Sequence, residues 1–209
     1  MPLFYQQDIN QSTKLGVWKI EEPEDFFLAS VPLQSNITHP HKRLQHLAGR
    51  FLLLFLFPDF PHSEIEIADT RKPYLPDEQY HFSISHCGNY AAAIVSSIDR
   101  VGVDIELITN RVEKIKHKFL NAKELCFVSN HSVDQHIPLL TLLWSTKEAM
   151  FKWWGNGDVD FSEVLLIEEF QFGKTGIIPA FLKKDNLNIP LQIHFQLWDG
   201  FSLAWVRGG

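Results

Sequence analysis

Cysteine is nearly absent. Two of 209 residues, Cys87 and Cys126, stand at no metal-ligand spacing. That argues against a disulfide framework or a cysteine-held zinc site, and free thiols suit a reducing, cytoplasmic setting. Long apolar runs are missing too. The longest, residues 51–57, ends at Pro58 and is far short of a membrane span. The opening residues, Met1 to Asp8, lack the basic-then-apolar layout of a secretory leader. Positive charge is in deficit, 19 Lys and Arg against 25 Asp and Glu, so nucleic acid is not expected as the main partner. An anionic ligand stays open wherever Lys, Arg and His gather locally. What the chain has in quantity is aromatic side chain, 17 Phe and six Trp, within a composition that is 45% hydrophobic and 21% charged. That is a globular composition, long enough for one large domain or two small ones packed together.

Periodicity predicts a strand over 15–20, an acidic helix start around Pro23, and a helix from about Leu44 to Phe57 that is apolar nearly all round. Arg50 lies inside that helix, where a charge needs an anion, a carboxylate partner or a mouth to solvent. An edge strand over 64–68 and an extended basic segment, Arg71-Lys72-Pro73-Tyr74-Leu75-Pro76, follow. Strands at 81–86 and 90–95 flank a Cys87-Gly88-Asn89 turn, and an antiparallel meander is expected to run on into residues 101–107. Residues 111–128 read as a basic amphipathic helix broken near Asn121, either a solvated face or a docking face for an acidic partner. Asn130 to Pro138 reads as a loop and Leu139 to Trp154 as a helix. Strands are expected at 164–167, 170–172 and 193–198, the last joined to 201–206 by an Asp199-Gly200 hairpin turn.

Two stretches carry chemistry. In Val101-Gly102-Val103-Asp104-Ile105-Glu106-Leu107 the apolar residues alternate with Gly102, Asp104 and Glu106, the pattern of a half-buried strand. Its two carboxylates then project side by side, placed to share a hard divalent cation such as Mg2+, and Gly102 leaves room on the same face for something bulky. In the 139–154 helix Trp144, Glu148 and Lys152 fall at i, i+4 and i+8 and form one stripe. A surface acidic strand and a surface salt bridge would be the ordinary accounts of these two stretches taken separately.

Taken together with Phe82-Ser83-Ile84-Ser85-His86, the segments Gly102-Val103-Asp104-Ile105-Glu106 and Trp144-Ser145-Thr146-Lys147-Glu148-Ala149-Met150-Phe151-Lys152 stand in the order and near the spacing seen in 4'-phosphopantetheinyl transferases, which the chain resembles. Arg71-Lys72-Pro73-Tyr74 is similar to that family's basic segment, and the length resembles the larger, Sfp-type class. The resemblance implies an α+β fold of two similar α/β halves, 1–100 and 101–209, each with a small mainly antiparallel sheet and packed helices, with the ligand site at their junction. It implies an enzyme of holo-[acyl-carrier-protein] synthase type, which moves the phosphopantetheine arm of coenzyme A onto a serine of an acyl, polyketide or peptidyl carrier protein and releases 3',5'-ADP. Mg2+ would be held by Asp104, Glu106 and Glu148. Glu148 would serve as third ligand or as the base for the serine hydroxyl, and Lys152 would meet a phosphate oxygen. Coenzyme phosphates would meet Lys72, Ser85 and His86, with Arg43 and Arg50 as further candidates and His46 where the family often has a basic or hydroxyl residue. His81 is expected to be a core histidine. Carriers of this kind are acidic, so the Arg111 to Lys123 face would be the docking face. Neither nucleic acid nor membrane is implied, and the enzyme would be a monomer. Two other readings compete: a Mg2+-dependent phosphohydrolase built on the same carboxylates, and a non-catalytic carrier-protein-binding module.

Overall fold

The computed structural model describes residues 2–33 and 37–208. The chain divides into two compact units, Met1–Val101 and Gly102–Gly209, of mixed helix and antiparallel sheet, an α+β architecture.

The first unit opens with the hairpin β1 (Leu3–Asn10) and β2 (Thr13–Lys19), followed by the short helix α1 (Glu24–Leu28) and the long helix α2 (Pro40–Leu56). A 3-10 turn at His62–Glu64 and the two-residue strands β3 (Glu66–Ile67) and β4 (Pro73–Tyr74) lead to β5 (His81–Cys87) and β6 (Tyr90–Ser96). The main sheet runs β1-β2-β6-β5, antiparallel throughout. Pro40 starts α2 at the one place where a missing N–H costs nothing. Its Leu47, Ala48, Leu52, Leu53 and Leu56 pack on Trp18, Ala91, Ala93 and Val95 of the sheet. The opposite face is less covered than its sequence predicts, with Phe55 40% exposed and Phe26 of α1 41% exposed, each against Trp18. Gly49 lets α2 sit directly on β5, because a Cβ there would lie 2.6 Å from Ile84 Cγ2.

In the second unit β7 (Val101–Leu107) pairs not with β6 but with the last strand, so the expected meander breaks after residue 96. Helices α3 (Arg111–Phe119), α4 (Ala122–Ser129) and α5 (Val133–Trp154) precede β8 (Leu165–Ile167), β9 (Thr175–Lys184), β10 (Leu187–Trp198) and β11 (Phe201–Arg207), and the sheet order is β7-β11-β10-β9-β8. The break at Asn121 is a capping box. The Asn121 side chain accepts from Glu124 N, and Glu124 Oε2 accepts from Asn121 N, both at 2.9 Å. Two expectations fail here. Residues 133–138 are helical, since Pro138 sits near the start of α5 and forgoes only one intrahelical bond. Residues 170–172 form no strand, while β9 does, through Pro179. Gly200, at φ 110°, makes the expected turn between β10 and β11. Leu139, Leu142, Leu143, Ala149, Met150 and Trp153 of α5 are buried against Ile193, Phe195, Ala204 and Val206 of the sheet. A buried hydroxyl pair, Ser145 to Ser202 at 2.6 Å, fixes helix against strand.

Candidate active site

The β7 strand is not half-buried as its alternation predicts. Val101 through Ile105 are all buried, because α5 covers the face that carries Gly102, Asp104 and Glu106. Gly102 is the point of closest approach, and the bulky neighbour it admits is the α5 backbone itself. Along β7 the partners then descend the helix. Gly102 abuts Ala149 and Trp153, Asp104 Oδ1 accepts from Lys152 Nζ at 2.7 Å, and Glu106 Oε1 accepts from Trp144 Nε1 at 3.1 Å. Strand and helix therefore run in opposite senses. About 13 Å of strand at 3.3 Å per residue matches roughly two turns of helix.

Glu148 lies between these pairs, so the structure brings Asp104, Glu106, Glu148 and Lys152 into one electrostatic group. Asp104 is 3% exposed. Burial, then the neighbouring Asp104 and Glu106 charges, push Glu148 up to about 7 against the opposing Lys152 ammonium. Burial and Asp104 push Glu106 up to about 6, with the Trp144 hydrogen bond acting the other way. Among the described residues no three His, Cys, Asp or Glu side chains stand close enough together to hold a metal as they are. Instead the Lys152 ammonium offsets the Asp104 charge. The chemistry of the donor set still fits a hard cation: oxygen ligands only, in a buried place, each raising the other's affinity for positive charge.

The candidate anion contacts all lie in the first unit and fall into two groups. In one, His86 of β5 is exposed, and behind it stand His46, Arg50 and the buried His62. Arg50 is 5% exposed, and its Nη1 has no hydrogen-bond partner among the described residues. Burial lowers Arg50 to about 10, and its neighbours include two histidines, His46 and His62. In the other, Lys72 is lowered to about 8 by burial and by Arg100, and His81 shares that neighbourhood. Ser85 is buried on β5. Arg43 is engaged elsewhere, ion-paired with Glu24 of α1 and donating to Ile37 O at 3.3 Å. The sequence reading missed His62 and Arg100, whose local patterns carry no signal.

His46 and His62 give the first unit a pH dependence. Burial first, then Arg50, lowers each from 6.5 to about 4, so the unfolded chain takes up these protons before the folded one. Their contribution is complete above pH 6.5 and is lost as pH falls through 4. At roughly 1.4 kcal/mol per unit, discounted for the partial exposure of both rings, the pair is expected to cost about 2–4 kcal/mol across that window. Urea midpoints measured between pH 7 and pH 4 check this, and His62→Phe is expected to flatten the profile.

Residues 100–206 match the model of the 4'-phosphopantetheinyl transferase superfamily, a span that holds β7 and α5 entire. The chain belongs to the 4'-phosphopantetheinyl transferase superfamily. Among curated proteins, enterobactin synthase component D of Salmonella austin is 33% identical over 121 residues, which cover 53% of this chain and 47% of that protein. Enterobactin synthase component D of Escherichia coli (strain K12) is 32% identical over 122 residues, 53% of this chain and 54% of that protein. The 4'-phosphopantetheinyl transferase AcpT of Escherichia coli O157:H7 is 30% identical over 114 residues, 53% and 57% respectively. The chain spans about half the length of the curated relatives it matches. In this superfamily member the matched segment contains the acidic group and Lys152, whereas Arg43, Arg50, Lys72, Ser85 and His86 lie outside it. No helix among the described residues is long and apolar enough to cross a membrane.

Proposed function

We propose that the chain transfers the 4'-phosphopantetheine arm of coenzyme A to a serine of an acyl, polyketide or peptidyl carrier protein, in a Mg2+-dependent reaction. The observation that carries this reading is the facing of β7 and α5, which assembles three carboxylates and one ammonium beneath a superfamily match. Asp104, Glu106 and Glu148 would hold the cation, which when bound would neutralise the diphosphate as Lewis acid and template. Glu148 would serve either as the third of these ligands or as the acceptor of the serine proton. The serine oxygen forms a bond to the pantetheine-side phosphorus, the P–O bond to the nucleotide phosphate breaks, and 3',5'-ADP leaves with the bonding pair. Lys152, ion-paired with Asp104, would meet charge growing on a phosphate oxygen. In the first unit, Arg50 in the neighbourhood of His46 and His86, and separately Lys72 with Arg100, would offer positive charge for phosphate.

Carrier docking would fall on the Arg111 to Lys123 face, where Arg111, Lys114 and Lys118 of α3 are exposed, while Lys116 of α3 and Lys123 of α4 are ion-paired with Glu113 and Glu168. Intact mass spectrometry of a panel of apo carriers incubated with the protein, coenzyme A and Mg2+ tests the reaction. A gain of one phosphopantetheine on carrier is expected, and Lys114→Glu with Lys118→Glu should raise the carrier concentration needed. Free phosphopantetheine formed without carrier would favour the phosphohydrolase, and carrier binding without mass gain a non-catalytic module.

A further inference from the structure

Lys147 precedes Glu148 in the sequence, yet its side chain is wholly inaccessible and cannot reach a phosphate. All three of its ammonium donors are used. Nζ donates to Glu124 Oε2 at 2.7 Å, to Phe119 O at 2.7 Å and to Phe161 O at 2.9 Å. Glu124, as deeply buried, also accepts from Asn121 N and, through Oε1, from Ile167 N at 2.9 Å. One ion pair therefore gathers the last residue of α3, the first turn of α4, the approach to β8 and β8 itself onto a single position of α5.

We propose that Lys147 and Glu124 are positioning residues, which fix the rotation of α5 about its own axis so that its Trp144–Glu148–Lys152 face meets Asp104 and Glu106. The proposal rests on the function put forward above. Successive helix residues are about 100° apart, so a clamp at 147 holds the flank of the helix while 148 faces the strand. A rotation of roughly 20° would swing a Glu148 carboxyl carried several ångströms from the helix axis by about 2 Å. A 1 Å misplacement of a reacting group is enough to cost about a hundredfold in rate. Stability alone does not call for such a pair, since apolar or neutral replacements of buried ion pairs are often as stable. Three acceptors from three segments meeting at one tetrahedral ammonium give instead a fixed point that an apolar contact cannot supply.

The test uses the full chain carrying Lys147→Met alone, Lys147→Met with Glu124→Gln, and Lys147→Arg. Lys147→Met alone is expected to lower Tm sharply, because it strands the Glu124 carboxylate. The double variant is expected to regain most of that Tm while kcat with an apo acyl carrier protein stays at least about tenfold down and KM for coenzyme A stays within about twofold. A second readout needs no turnover: the indole N–H resonance of Trp144, assigned by Trp144→Phe, reports the bond to Glu106. It is expected to shift and exchange faster in the double variant. Wild-type kcat with an unshifted resonance at restored Tm would overturn the proposal. If the double variant stays unstable, Lys147→Arg is read the same way. If the wild type modifies no carrier, the proposed reaction fails, and the resonance alone decides the positioning role.

Discussion

Gly102→Ala is expected to lower Tm by roughly 6–12 °C and to disrupt the acidic group as a unit, because its Cβ would meet closer backbone than at Gly16, Gly49, Gly173 or Gly176. The new Cβ would stand 2.0 Å from Ala149 O, 2.8 Å from Trp153 N and 2.9 Å from Trp153 Cβ. Two of those three atoms are helix backbone, so no rotamer change relieves the clash and the whole of α5 must move. It is not free to do so. Ser145 is bonded to Ser202, the Trp153 indole donates to Gly208 O, and Lys147 is clamped on another side. Overpacking of this kind costs typically 1–3 kcal/mol and occasionally more; with rigid partners on both sides, about 3 kcal/mol is expected. A chain of 209 residues loses roughly 2–4 °C per kcal/mol, which gives the stated fall. Gly173→Ala is the control, because its Cβ would meet nothing nearer than Thr175 O at 3.9 Å. A wild-type melting curve for Gly102→Ala would show that strand and helix are not held at this separation.

The same glycine shows how far the sequence could be read. Alternation around Gly102, Asp104 and Glu106 correctly gave a strand with the two acids on one face, and the i, i+4, i+8 stripe gave the helix face opposite. Neither pattern revealed that the two faces meet, because period 2 and period 3.6 are local properties and the pairing of β7 with β11 is not. For that reason β7 was expected to be open on one side and is buried on both. Local chemistry misled in two further places: Pro138 suggested a loop where the start of α5 tolerates it, and Pro179 concealed β9. The β1 strand was missed because its middle is polar, Gln6-Gln7-Asp8, on a half-exposed hairpin. The Glu124 clamp was legible in principle as the Asn121-x-x-Glu124 capping box. Its second partner, Lys147, is reached only through tertiary packing. Arg50 posed a sharper question than its helix could answer, since of its two histidine neighbours His46 lies one turn back on α2 but His62 comes from a turn outside it.

Glu148→Gln is expected to reduce carrier modification by about a thousandfold or more while coenzyme A binding changes little, the range set by loss of a positioned proton acceptor. The same variant is expected to be more stable than wild type at pH 8, and the reason fixes the sign. Burial, then Asp104 and Glu106, hold Glu148 near pKa 7, above the ordinary 4.5, so between those values the folded chain binds more protons than the unfolded one. The stability tied to the neutral carboxyl is complete below pH 4.5 and is lost as pH rises through 7. At roughly 1.36 kcal/mol per unit, discounted for partial exposure, ionised Glu148 costs the metal-free fold about 2 kcal/mol at pH 8. Glutamine keeps the shape and removes the charge, so Tm of the variant should exceed wild type by several degrees at pH 8 and equal it near pH 5. Millimolar Mg2+ should raise the wild-type Tm at pH 8 more than that of Glu148→Gln, which keeps only Asp104 and Glu106 of the three proposed carboxylate ligands. A variant that is less stable than wild type at pH 8, or that still modifies carrier within about tenfold of wild type, would mean that Glu148 is not the strained carboxylate on which the transfer depends.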